Sequence, residues 1–154
     1  MQVTRVPMAE LMKVIRLQLE TAGRANLPVT GCSMLPMLRQ GRDTVILAPI
    51  TDRLKAGDIA LYQRENGIYV LHRVIEADKD GYFFCGDNQA QRERVDHRQL
   101  IAHVTGYLRN GREYGLDCLK DRLYCWLWIR FFGLRKYYIA LRRGLGRLRR
   151  RLFN

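Results

Sequence analysis

The sequence predicts a mainly β domain of the α+β class, with helices before and after the strands. Three observations carry this. From Leu27 to Tyr114, apolar residues come in short runs cut by Gly, Asn, Asp and Pro. A single helical period precedes that region, and a different, basic helical period follows it. Three segments result: an amphipathic helix in 1–26, a β domain in 27–114 and a basic aromatic tail in 115–154.

The first segment, "VPMAELMKVIRLQLETAG", places Met8, Leu11, Met12, Ile15 and Leu19 on one helical face. Pro7 suits its start and Gly23 its stop. Glu10, Lys13, Arg16 and Glu20 interrupt the apolar residues. No run approaches the roughly 20 residues of a membrane span, and no cleavable signal is read here.

Strands are predicted in "LPVT", "DTVIL", "DIALYQ", "IYVLHRVIE", "YFFC" and "LIAHVTGYL". Asn66-Gly67, between two alternating runs, predicts a type I′ hairpin, and Asp80-Gly81 a second turn. Successive strands without intervening helices argue for an antiparallel sheet or barrel.

Charge divides the chain unevenly. Met1–Leu119 carries 16 Lys and Arg against 14 Asp and Glu, whereas Lys120–Asn154 carries 11 against one. A tail of net charge +10 calls for an acidic partner. In that tail Leu134, Tyr137, Tyr138, Leu141, Leu145, Leu148 and Leu152 form one helical stripe. Arg135, Lys136, Arg142, Arg143 and Arg147 fall on the other side. With Trp126 and Trp128 ahead of it, the pattern fits a peripheral helix on an anionic membrane surface. Nucleic acid is the lesser alternative. Four cysteines show neither a disulfide framework nor zinc-site spacing. The expected setting is the reducing cytoplasm, with no metal and no cofactor.

Three short elements carry chemistry in order: "GCSMLP", then "GDIALY…YVLHRV", then "GDN". Together they resemble the signal peptidase I superfamily, whose β-rich fold is shared with the self-cleaving domains of SOS-type repressors. The resemblance covers about residues 27 to 108. It rests on Gly31, Ser33, Met34 and Pro36, then Leu38 and Gly41, then Gly57-Asp58-Ile59, and finally Gly86-Asp87-Asn88. The family's general base is lysine in most bacterial enzymes and histidine in another branch; "LHRVI" sets His72 at that place.

The resemblance implies a serine endopeptidase that cleaves a peptide or leader segment. Ser33 is the implied nucleophile and His72 the general base, a chemistry a neutral imidazole performs near pH 7. Asp87 either orients His72 or braces the fold beside a Ser–His dyad. A second acid of the histidine branch has no clear counterpart: Glu93 is near, and Asp96 belongs to the next strand. Gly31 is expected to bring the backbone close to an oxyanion site, where the Ser33 amide could donate. Met34 is expected to wall the substrate site, with Pro36 beside it, and Cys32 to be packed away. His97 and His103 read as ordinary strand-end or surface residues. Two alternatives stay open: a peptide-holding module without catalysis, and a self-cleaving regulator whose basic tail binds nucleic acid.

Overall fold

The computed structural model describes residues 7–141. Helix α1 (Met8–Ala22) follows Pro7 and stops at Gly23, which takes the left-handed conformation at φ +64° and donates its amide to Leu19 O. Eight strands follow: β1 (Ala25–Pro28), β2 (Asp43–Ala48), β3 (Ile59–Gln63), β4 (Tyr69–Asp78), β5 (Gly81–Cys85), β6 (Glu93–Val95), β7 (Leu100–Arg109) and β8 (Arg112–Gly115). Helix α2 (Leu119–Arg130) comes next, then a short turn and a further helical stretch over 135–141.

All strand pairs are antiparallel, in the order β1-β2-β7-β3-β4-β5-β6, with β8 added to β7. This is a β-rich α+β fold, as the apolar runs predict. Alternation along β3 divides the core in two. Ile59 and Leu61 join Met12, Ile15, Met34 and Leu38 under α1, while Ala60 and Tyr62 join Val74, Tyr82 and Phe84 on the other face.

Two turn expectations need correction. In the β3–β4 hairpin only Gly67 has positive φ (+81°); Asn66 does not, and its side chain accepts Ile68 N–H instead. Gly67 N–H reaches Arg64 O and Arg64 N–H reaches Ile68 O, so the loop is longer than a two-residue type I′ turn. The two-residue turn with both φ positive lies at Asn110 (+51°) and Gly111 (+75°), joining β7 to β8. Strands β6 and β8 are short and mostly polar, and no apolar alternation marks them.

Residues 115–141 do not form a separate tail. From α2, Tyr124 Oη donates to Asp87 Oδ2 at 3.1 Å and Trp128 Nε1 to Asp87 O at 3.0 Å. Arg135, expected on the outer face, is buried and donates to Gly86 O and to Trp128 O. Arg142, Arg143 and Arg147, with Leu145, Leu148 and Leu152, lie outside the described residues. Among the described residues no helix is long and apolar enough to cross a membrane.

Candidate active site

The segment carrying Ser33 is a loop tied at both ends. Val29 N–H donates to Asp43 O, and Asp43 N–H to Arg39 O. Met34 and Leu38 sink into the core beneath it. Asp43 is buried and accepts from Arg42 at 2.7 Å, Arg109 at 2.7 Å and the Arg39 amide at 2.8 Å. Burial by itself would raise its pKa; the two guanidiniums and the amide overcome that and bring it to about 2. Both arginines also donate to Met37 O, so one buried carboxylate pins the loop to β2 and β7.

His72 sits in the middle of β4, paired with Ala60 of β3. Strand β5 ends at Cys85 opposite Arg73, so Gly86, the next residue, comes alongside His72. A methyl group on Gly86 would lie 2.8 Å from Ser33 O, 2.9 Å from Gln89 Oε1 and 3.0 Å from His72 Nε2. Only glycine leaves that space open. Asn88 N–H donates to Ser33 O at 2.7 Å and ties the serine loop to the turn after β5. Ser33 and His72, 39 positions apart, thus line one cleft of about 230 Å³, together with Met34, Leu61, Arg64 and Gln89.

The hydrogen bonds at Nδ1 define the imidazole. Tyr62 Oη donates to Glu93 Oε1 and lies 3.1 Å from His72 Nδ1, and Glu93 Oε1 is 3.3 Å from that nitrogen. Arg64 holds Glu93 through bonds of 2.7 and 2.9 Å. Burial would raise the Glu93 pKa, but the bonds from Arg64 and Tyr62 lower it, so Glu93 is a carboxylate with no proton to give. With the phenol proton directed to Glu93, the proton facing Tyr62 and Glu93 must come from His72 Nδ1. Nε2 is then the unprotonated nitrogen, on the Gly86 side. Burial depresses the His72 pKa more than Glu93 raises it, and the ring is neutral near pH 7. Among the described residues, Ser33 Oγ makes no hydrogen bond.

Several expectations change here. Asp87 does not orient His72: it is fully buried and held by Arg73 through bonds of 2.9 and 2.8 Å, with Tyr124 as a third donor. Arg73 follows His72 on a strand and so projects to the opposite face, taking Asp87 with it. Glu93 occupies the orienting position. Gly31 needs its left-handed φ of +75° rather than a close approach, since a side chain there would meet nothing within 4 Å. Its amide already donates to Gln40 Oε1. Gly31 and Pro36 are exposed and are not among the residues lining the cleft, and Cys32 is exposed rather than packed. Met34 is buried and does line it. His97 packs edge-on against Tyr82, away from this cleft.

Tyr62 and Arg64 are the site residues that motif reading passed over, while Gly86 stood in the "GDN" element without a role of its own and Glu93 was noted only as near. Tyr62 looks like any core aromatic, and Glu93 acts from β6, a three-residue strand with no signature of its own. A larger, open cleft of about 750 Å³ lies between α1 and the sheet, but no serine or cysteine lines it. Among the described residues no group of three His, Cys, Asp or Glu could hold a metal ion. No model of a known protein family matches the chain, and no curated protein matches it.

Proposed function

We propose that this protein is a serine endopeptidase of the signal-peptidase type, acting on a peptide or leader segment. The observation that carries the reading is the one cleft lined by Ser33 and His72, where the Ser33 carbonyl O and the unprotonated Nε2 of His72 both close on Gly86. In the reaction, His72 Nε2 takes the Ser33 proton as Oγ bonds to the scissile carbonyl carbon. The Ser33 amide, without a hydrogen bond among the described residues, is the candidate donor to the developing oxyanion. The imidazolium then protonates the departing amine, leaving an ester on Ser33 that water hydrolyses with His72 again as base. Glu93 and Tyr62 hold the ring in the productive tautomer, and Glu93 stabilises its charged form.

Labelling by a serine-directed fluorophosphonate is the test. Ser33→Ala and His72→Ala abolish labelling, and Cys32→Ser retains it; persistent labelling of either of the first two variants sinks the assignment. The labelling rate rises with pH as His72 loses its proton, with a midpoint below the ordinary histidine value of about 6.5. In Glu93→Gln the raising influence of the carboxylate is gone while burial and Arg64 still depress the ring. The midpoint therefore moves to lower pH and the plateau falls. An unchanged profile would remove Glu93 from the mechanism.

The free Ser33 Oγ favours one second reading, a cleft of the same fold that holds peptides without cutting them. Catalytic hydrogen bonds are often long in free enzymes and tighten on binding. A chain that refuses the phosphonate while still binding peptide would decide for this alternative.

A further inference from the structure

From Leu119 to Leu141 the chain turns its leucines to solvent and several polar groups to the domain. The side chains of α2 that turn towards the domain are Asp121, Tyr124, Cys125, Trp128 and Ile129, all but the last polar or carrying a hydrogen-bonding group. Its leucines and one tryptophan turn away: Leu119 is 82% exposed, Leu123 54%, Trp126 58% and Leu127 41%. These four stand at i, i+4, i+7 and i+8, a continuous stripe along one helix face. Beyond α2 the pattern is mixed: Arg135 and Ile139 are buried, while Leu134, Tyr137 and Leu141 are exposed. A stripe of this size turned to solvent marks a surface that is covered in use.

The charges around it identify the cover. Lys120, Arg122, Arg130 and Lys136 flank the stripe and are exposed, and the one acid of the region, Asp121, is turned inward. Residues 142–154 add six arginines and no acid. A second copy of this chain would bring like charges together, and a nucleic-acid backbone offers nothing to four large apolar side chains. An anionic lipid surface satisfies both, taking the stripe into its interfacial layer and the cations at its headgroups. We propose that the outer face of α2, with Leu119, Leu123, Trp126 and Leu127 as its insertion residues, docks on an anionic lipid bilayer. Trp128 takes no part, because its indole is hydrogen-bonded to Asp87 O and packed on Tyr124. This names the partner of the proposed peptidase and rests on that reading only for its biological purpose.

The test is flotation of the full chain with phosphatidylglycerol–phosphatidylcholine vesicles and with pure phosphatidylcholine vesicles. Binding is expected to the first, weakening as salt rises, and much weaker to the second. Leu123→Glu combined with Leu127→Glu lowers binding by about tenfold or more. Val14→Glu combined with Leu17→Glu, on the equally exposed face of α1, leaves it unchanged. In Trp128→Phe the remaining Trp126 emission shifts to the blue on adding the anionic vesicles. Circular dichroism confirms that each variant is folded. Undiminished binding of the α2 variant, an unshifted Trp126, or a stripe buried in a dimer by light scattering would each overturn the proposal. So would binding to duplex DNA with none to vesicles. Ser33→Ala retains vesicle binding, so failure of the peptidase reading and failure of this one are told apart.

Discussion

The two long helices are opposite solutions to the same packing problem. Helix α1 buries Met12, Ile15 and Leu19 under the serine loop and shows its charges to water. Helix α2 does the reverse, meeting the domain through Asp121, Tyr124 and Trp128 and leaving its leucines outside. What joins α1 is apolar area, a non-directional attraction that tolerates small shifts. What joins α2 is a pair of directed bonds to Asp87, and Arg135 just beyond it adds bonds to Cys85 and Gly86, the turn that also bears on His72 and Ser33. The difference teaches that a helix can belong to a domain by its polar side when the core has a buried charge to offer it.

The buried charge is the Arg73–Asp87 pair, and its loss gives the largest expected effect. Burial would lower the Arg73 pKa, but the facing Asp87 carboxylate raises it, so Arg73 keeps its charge in the interior. Asp87→Ala leaves an uncompensated guanidinium and takes away the acceptor of Tyr124, at a cost of about 3–5 kcal/mol in urea unfolding. If the loss is near zero, α2 is not attached as described. On the α1 side, Ile15→Ala opens a cavity in the apolar cluster and costs about 2–4 kcal/mol, read the same way.

Arg135→Ala separates the two modes of attachment more finely. Arg135 Nη1 donates to Gly86 O at 3.2 Å and its guanidinium lies 4.6 Å from the Phe132 ring centroid. Its removal is expected to cost about 1–3 kcal/mol and to slow phosphonate labelling, because the Gly86 turn is less well held. A loss of stability without any change in labelling would confine Arg135 to the scaffold. The smallest effect belongs to the outer stripe: Leu123→Ala changes stability by about 0.5 kcal/mol or less, since no packing is lost. A cost like that of Ile15→Ala would mean that the stripe is covered by protein.

Much of this was legible from the chain in advance. The period of 2 in β3 and β4 and the 3.6 period of α1 follow from which residues must leave water, and the strands stand close to where those periods put them. Ser33 and His72 were legible as candidates because each sits in a short motif. The identity of the acid beside His72 was not. Asp87 is nearer in sequence, but it lies on the face that Arg73 occupies, and a pairing register decided that Glu93 of β6 would meet Nδ1. The helical stripe of residues 134–141 was also legible, but not the direction in which it points. Leucine and arginine patterns state which side chains share a face without stating which face meets the protein.

By itself, then, the sequence determined the class of fold, the amphipathic first helix, the excess of positive charge beyond Lys120 and the serine–histidine candidates. These are properties of local period and composition, which need no knowledge of neighbours. Only the tertiary structure decided which carboxylate serves His72, why Gly86 must be glycine, and that α2 turns its polar side inward. Each depends on residues far apart in the chain competing for the same few ångströms, and there a buried ion pair outweighs the apolar stripe.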